Sequence, residues 1–286
     1  MEQQLHQAAK TGNLGQVKRI LRDHPETDVN WESDYFDLTA LDWACIRGHA
    51  SVVSTLLAHP TIHVNTKGRV GWTALWYAAY RGPVTCLRLL LEDPRVDVNS
   101  HTRCGETALI QATSCGRLDS VRWMIASGRN FDLGKRGRKD DAIASAKVES
   151  WESDDTKKAK DAIVSLLKRW KKDPAQTRFE VKVGLGFQEE MGAEVFGLAQ
   201  FLCEGLVRLH RRGGKALEPG KRFFKIAKRL PIELQMKLCH VAMGSTKEYI
   251  ADEASRAAFA SVATKLEDTS GAPDYLDYKY APKTIW

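Results

Sequence analysis

Thr73-Ala74-Leu75-Trp76-Tyr77-Ala78-Ala79-Tyr80-Arg81-Gly82 decides the fold, because its frame returns at a fixed distance. Thr-Ala-Leu also stands at Thr39-Ala40-Leu41 and Thr107-Ala108-Leu109, 34 residues to either side. Gly48 and Gly116 keep the spacing of Gly82, and Gly12 joins them after a two-residue insertion in the loop near Glu32 to Asp37. Small pairs precede the glycines: Ala8-Ala9, Ala44-Cys45, Ala78-Ala79 and Ala112-Thr113. Five residues after each glycine comes Val17, Val53, Leu87 or Val121. Eight and nine after it come Ile20-Leu21, Leu56-Leu57, Leu90-Leu91 and Met124-Ile125, and the units close on Val29-Asn30, Val64-Asn65 and Val98-Asn99. A period in this range marks a solenoid, one supersecondary unit stacked on copies of itself.

Each unit reads as two short helices and a loop. The small pair lets the first helix approach its neighbour, a glycine tolerant of left-handed backbone turns the chain, and the aliphatic pair of the second helix closes the core. Burying each large aliphatic stabilises by roughly 1.5–3 kcal/mol, but only when the next unit covers it. The stack is therefore the folding unit.

These residues resemble the ankyrin repeat, whose units run Thr-Pro-Leu-His, Ala-Ala, Gly-His, Leu-Leu and Val-Asn. Gly48-His49 keeps the family's pair, while Ala40, Ala74 and Ala108 replace its proline and Asp42, Trp76 and Ile110 its histidine. A fifth, decayed copy begins at Asp141-Ala142-Ile143 with Ala146 in register, lacks the glycine and runs into the polar stretch Glu149 to Lys160, as a terminal cap would. The resemblance implies an all-α, ankyrin-type helical solenoid of four repeats plus a degenerate fifth over residues 1–172. It also implies a non-enzymatic scaffold or adaptor that binds a protein partner through the hairpin tips and the exposed face of each first helix. Carried over by register, the partner-binding positions are Arg47, Arg69, Trp72, Tyr80, Arg81 and Arg103, residue types that dominate binding hot spots. Of Trp76 and Tyr77, one is expected to point inward.

Residues 173–286 read as a helical domain with a connector and an aromatic tail. Lys157 to Lys172 has Ala162, Ile163, Leu166, Leu167 and Trp170 on one face, and Asp173-Pro174 stops it. Thr177 to Gly186 alternates partly and is expected as a short strand or a connector. Glu189 to Arg211, Arg222 to Lys228 and Asp252 to Leu266 have helical spacing, and Tyr275, Tyr278, Tyr280 and Trp286 mark the tail. Leu230-Pro231-Ile232-Glu233-Leu234 places a proline where the first turn of a helix tolerates it. It resembles the opening of an F-box, the motif by which substrate receptors dock on the adaptor of a cullin ubiquitin ligase, in a helix-in-groove mode. That resemblance implies a second reading, with Leu230, Pro231, Leu234 and Leu238 as the adaptor contacts.

The net charge of +7 is unevenly placed. Residues 1–134 carry 14 basic and 14 acidic side chains, 135–230 carry 23 and 14, and the remainder 6 and 8. The middle stripe opens a third reading, electrostatic binding of nucleic acid or an anionic membrane, although no nucleic-acid-binding motif accompanies it. Six scattered cysteines without CxxC spacing read as buried reduced thiols rather than a zinc site. The start, Met1-Glu2-Gln3-Gln4, has neither basic nor apolar character, and no run of about twenty apolar residues exists. A cytoplasmic or nuclear protein is expected, neither secreted nor transmembrane. The eight histidines are dispersed, and the adjacent carboxylates Asp154-Asp155 and Glu189-Glu190 project apart on a helix. No catalytic set, metal or cofactor is expected.

Overall fold

The computed structural model describes residues 1–33, 37–134, 141–146, 152–188, 190–193, 195–196 and 232–242. All regular structure among them is helical, with no strand. The chain divides into two compact units, Met1–Lys172 and Asp173–Trp286.

In the first unit, helices come in pairs: α1 (Glu2–Thr11) with α2 (Leu14–Asp23), α3 (Ala40–Arg47) with α4 (Ala50–Leu57), and α5 (Ala74–Tyr80) with α6 (Val84–Glu92). The series goes on with α7 (Ala108–Ser114) and α8 (Leu118–Ala126), then α9 (Ala142–Ser145) and α10 (Asp154–Lys172). First helices pack in succession from α1 through α9, and second helices from α2 through α10. The core between the rows holds Val17, Val53, Leu87 and Val121, with Leu56, Leu90 and Met124, all at zero exposure. These residues form one continuous interior, as the repeat demands. The fifth copy is complete as a helix pair: a single turn at α9, then the long α10, which buries Ile163, Leu166, Leu167 and Trp170. Ala162, expected on that face, is exposed.

Local chemistry explains the repeated starts. The hydroxyls of Thr39, Thr73 and Thr107 accept from the backbone N–H groups of Asp42, Trp76 and Ile110, capping α3, α5 and α7. At α3 the box is reciprocal, since Asp42 accepts in turn from the Thr39 N–H at 2.9 Å. The turning glycines differ in kind. Gly48 sits in left-handed backbone (φ 79°) and donates to carbonyls of α3. Gly82 does not, against expectation. A Cβ there would stand 2.7 Å from the Ala78 Cα and 3.0 Å from the Cys45 carbonyl, so the residue is small for close approach, and Pro83 behind it restricts its backbone.

The closing Val-Asn pairs have a further use. Asn30 Nδ2 donates to the Thr61 carbonyl at 2.8 Å, and its Oδ1 accepts from the His63 N–H at 2.7 Å. Asn65 does the same with the Arg95 carbonyl and the Asp97 N–H, and Asn99 with the Asn130 carbonyl and the Asp132 N–H, all at 2.8 Å. Each asparagine thus satisfies one donor and one acceptor of the following unit, a ladder along the loops.

In the second unit, α11 (Pro174–Gly184) replaces the strand or connector expected over Thr177 to Gly186. Asp173 caps it by accepting from the Gln176 N–H at 3.1 Å, and Pro174 occupies the first turn. The apparent alternation misled because Thr177 and Val181, four apart, are the buried pair, whereas Phe179, Val183 and Leu185 are half-buried. Residues 190–193 and 195–196 are helical, with Met191, Ala193 and Phe196 buried. A last described helix, α12, spans Ile232–Ala242. The remainder of the helix expected over Glu189 to Arg211, the segment Arg222 to Lys228, the helix Asp252 to Leu266 and the aromatic tail lie outside the described residues.

Candidate interaction face of the first helices

In each of the first four units the first helix leaves the same three register positions unburied: Gln7, Lys10 and Thr11; Trp43, Ile46 and Arg47; Tyr77, Tyr80 and Arg81; Gln111, Ser114 and Cys115. The position after the conserved leucine, by contrast, turns toward the neighbouring unit. It holds His6, Asp42, Trp76 and Ile110, and the last three are buried. His6, at the register of the family's histidine, donates from Nε2 to the Leu38 carbonyl at 3.0 Å, tying the first unit to the second. Sequence reading had passed over it.

Two aromatic groups occupy the open positions. Around Trp43, the Lys10 ammonium lies 4.3 Å and the Arg47 guanidinium 5.6 Å from the ring centroid, while the His6 ring stands edge-on to both Trp31 and Trp43. On α5, Trp72 stacks on Trp76 with centroids 4.4 Å apart and planes 7° from parallel. Tyr77 meets both indoles edge-on, and Tyr80 lies 5.2 Å from Trp76. Trp76 is therefore the inward member of the pair. Its indole N–H, where the family places a hydrogen-bonding histidine, is buried without a partner. Arg81 lies over Tyr80 at 5.2 Å, and Arg117 donates to the Tyr80 carbonyl.

Burial pushes the Asp42 carboxyl up to about 7, against the opposing effect of its hydrogen bonds to Thr39. The Tyr77 phenol is raised by burial first and by the Asp42 carboxyl second. Burial lowers the His6 imidazole, with Lys10 adding to the effect.

Of the expected partner-binding residues, Arg47 and Arg81 are exposed and Tyr80 half-buried on one face. Trp72 is instead a half-buried part of the indole stack, so its removal would disturb packing. Arg69 and Arg103 stand on neighbouring hairpin tips, joined where the Arg103 N–H donates to the Val70 carbonyl at 3.3 Å. Arg69 is engaged by Asp37 at 3.6 Å. Asp37 has φ 51°, at the register where the next tips have Gly71 and Gly105. Trp43, Tyr77 and Lys10 were missed, though the first two share a register position with Gln7 and Gln111, a signal available from alignment of the repeats alone.

Elsewhere, α12 buries Gln235 and Cys239, leaves Leu234 50% exposed and Leu238 half-buried, while Leu230 and Pro231 lie outside the described residues. Within the basic stripe, Lys168, Arg169, Lys171 and Lys172 are solvated at the end of α10, whereas Lys160 is buried against Glu152. The clusters at 135–139 and 208–229 lie outside the described residues. Cys45, Cys86 and Cys239 are buried, Cys115 is half-buried, and Cys104 is exposed at a tip, which corrects the expectation of buried thiols there. No group of described residues could hold a metal ion, and none of the described helices is long and apolar enough to cross a membrane.

Paired helices, repeated threonine caps and a variable open face define a helical repeat solenoid. The family described as Ankyrin repeats (3 copies) matches residues 5–102 and, in a second alignment, 60–135; this part of the chain is made of ankyrin repeats, typically a non-enzymatic module that binds proteins. The chain is 44% identical over 61 residues to Osteoclast-stimulating factor 1 of Xenopus laevis, an alignment covering 21% of this chain and 27% of that protein. It thus spans about a quarter of that relative's length.

Proposed function

We propose that this protein is a non-enzymatic scaffold or adaptor that holds a protein partner on the open face of α1, α3, α5 and α7 and on the adjoining tips. The observation that carries this reading is the contrast within each first helix. The buried positions repeat small and aliphatic residues, whereas the open ones gather Trp43, Tyr77, Tyr80, Arg47 and Arg81 in the two central units. Such side chains combine large contact area with directional bonding, and their concentration in the middle of a stack matches the central placement of binding hot spots. In a pull-down from the native cell, the variant Arg47→Ala/Tyr80→Ala/Arg81→Ala is expected to lose the proteins retained by the wild type while melting as one cooperative transition. Retention of the same proteins by the variant would refute the assignment of this face.

A further inference from the structure

We infer that the partner segment seated on this face is acidic and carries large apolar side chains, an inference that rests on the reading just given. The twelve open register positions of the four first helices contain three cations, Lys10, Arg47 and Arg81, and no aspartate or glutamate. Over residues 1–134 as a whole the charges balance, so this face is basic by arrangement rather than by composition. Among the described residues, none of the three cations pairs with a carboxylate; each lies over an aromatic ring at 4.3–5.6 Å. A cation on a ring face keeps donors free, because the contact uses its charge and not its N–H groups. A carboxylate arriving there gains charge-assisted hydrogen bonds that the unbound protein does not supply internally.

Two acids of the second repeat are placed differently. Asp42 lies beneath the face, fully buried and bonded to Thr39. Asp37 is engaged by Arg69 at a tip. Between the cations, Trp43, Tyr77 and Tyr80 offer half-buried rings, a surface for leucine or aromatic side chains set among the carboxylates. A basic segment would meet like charge at three points, and a neutral one would leave the cations uncompensated. Nucleic acid shares the negative charge, but the three described cations come from three separate repeats, which favours spaced carboxylates over a continuous phosphate chain.

The test is selection of a displayed library of random peptides on the full-length protein, alongside fluorescence anisotropy with single-stranded poly(U). Enriched peptides are expected to carry net negative charge with interspersed apolar residues. Their synthetic forms are expected to bind at least tenfold more weakly to Arg47→Glu/Arg81→Glu, and progressively less as salt rises. Neutral or basic peptides that lose binding to Arg47→Glu/Arg81→Glu or to Tyr80→Ala would overturn the acidic character while sparing the face. Peptides of any charge whose binding survives both variants would overturn the face itself. Poly(U) binding abolished by the charge reversal would replace the acidic segment with nucleic acid and so also overturn the inference. Circular dichroism melting of both variants identifies any loss that comes from unfolding, and Arg47→Gln/Arg81→Gln, which removes charge without reversing it, then supplies the comparison.

Discussion

Asn30, Asn65 and Asn99 do one job three times, each bonding the backbone of the next unit in the same two ways. On the opposite flank of the repeat, His6, Asp42, Trp76 and Ile110 share one register and do four different things: an inter-unit hydrogen bond, half of a capping box, the base of an aromatic stack, and plain apolar burial. The open position beside them holds glutamine in the outer units, Gln7 and Gln111, and an aromatic residue in the central ones, Trp43 and Tyr77. The closing asparagines, kept in three successive units, join each unit to the next in the same way. The open first-helix positions instead set the two central units apart from their neighbours. Repetition encodes the fold here, and departure from repetition gives the open face its local character.

The kept positions carry the largest energies. Leu90 is at zero exposure between its neighbours in the row of second helices, so Leu90→Ala removes burial and leaves a cavity. A loss of about 2–5 kcal/mol is expected in urea unfolding, with α5–α8 failing together because each unit is stable only through its neighbours. A loss below about 1 kcal/mol would mean that the rows are loosely packed and the kept aliphatics are not what joins the units.

Most of this architecture was legible in sequence because it repeats: the helix pairs, the threonine caps and the aliphatic rows are all set by local pattern. The candidate face was legible in part. Register alone brings Arg47, Tyr80 and Arg81 to one face, whereas the stacking of Trp72 on Trp76 is a contact between a loop and a helix that no periodicity reports. Gly82 was misread for a similar reason, since its neighbour is the backbone of the previous unit rather than its own turn. In the second unit no repeat is available to average over. There, the alternation of Phe179, Val181, Val183 and Leu185 outweighed Asp173-Pro174, which reads equally well as a helix start.

Among the departing positions Asp42 has the clearest consequence. Its carboxyl is raised to about 7 when folded, from an ordinary value of 3.8, so the folded protein binds this proton more tightly than the unfolded chain. Stability from this group is therefore greatest below about pH 4 and declines as pH rises toward 7. Between pH 5 and pH 8 the decline is on the order of 2–3 kcal/mol. His6 acts in the other sense, because a lowered imidazole destabilises the fold as pH falls. The difference between wild type and Asp42→Asn separates the two. Urea midpoints at both pH values are expected to show the wild type losing more than Asp42→Asn on going to pH 8. Parallel behaviour would mean that the Thr39 donors and the start of α3 hold Asp42 ionised, and that the capping box is an ordinary one.

The loop ladder has the smallest expected effect because its bonds face solvent. Asn65→Ala removes the bonds to the Arg95 carbonyl and the Asp97 N–H, both of which water can partly replace, so the loss should be about 1–2 kcal/mol. Asn65→Asp keeps the acceptor and discards the donor, and should retain about half of that. The protein contains its own version of this experiment: the Asp132 carboxylate accepts from the Gly134 N–H at 2.9 Å as Asp97 accepts from the Asn99 N–H at 3.0 Å, so the fourth closing pair is Leu133-Gly134. The ladder thus stops where glycine stands in place of the asparagine, just before the decayed fifth copy. If Asn65→Asp proved as stable as wild type, the amide donor would be dispensable, and the acceptor alone would carry the link between units.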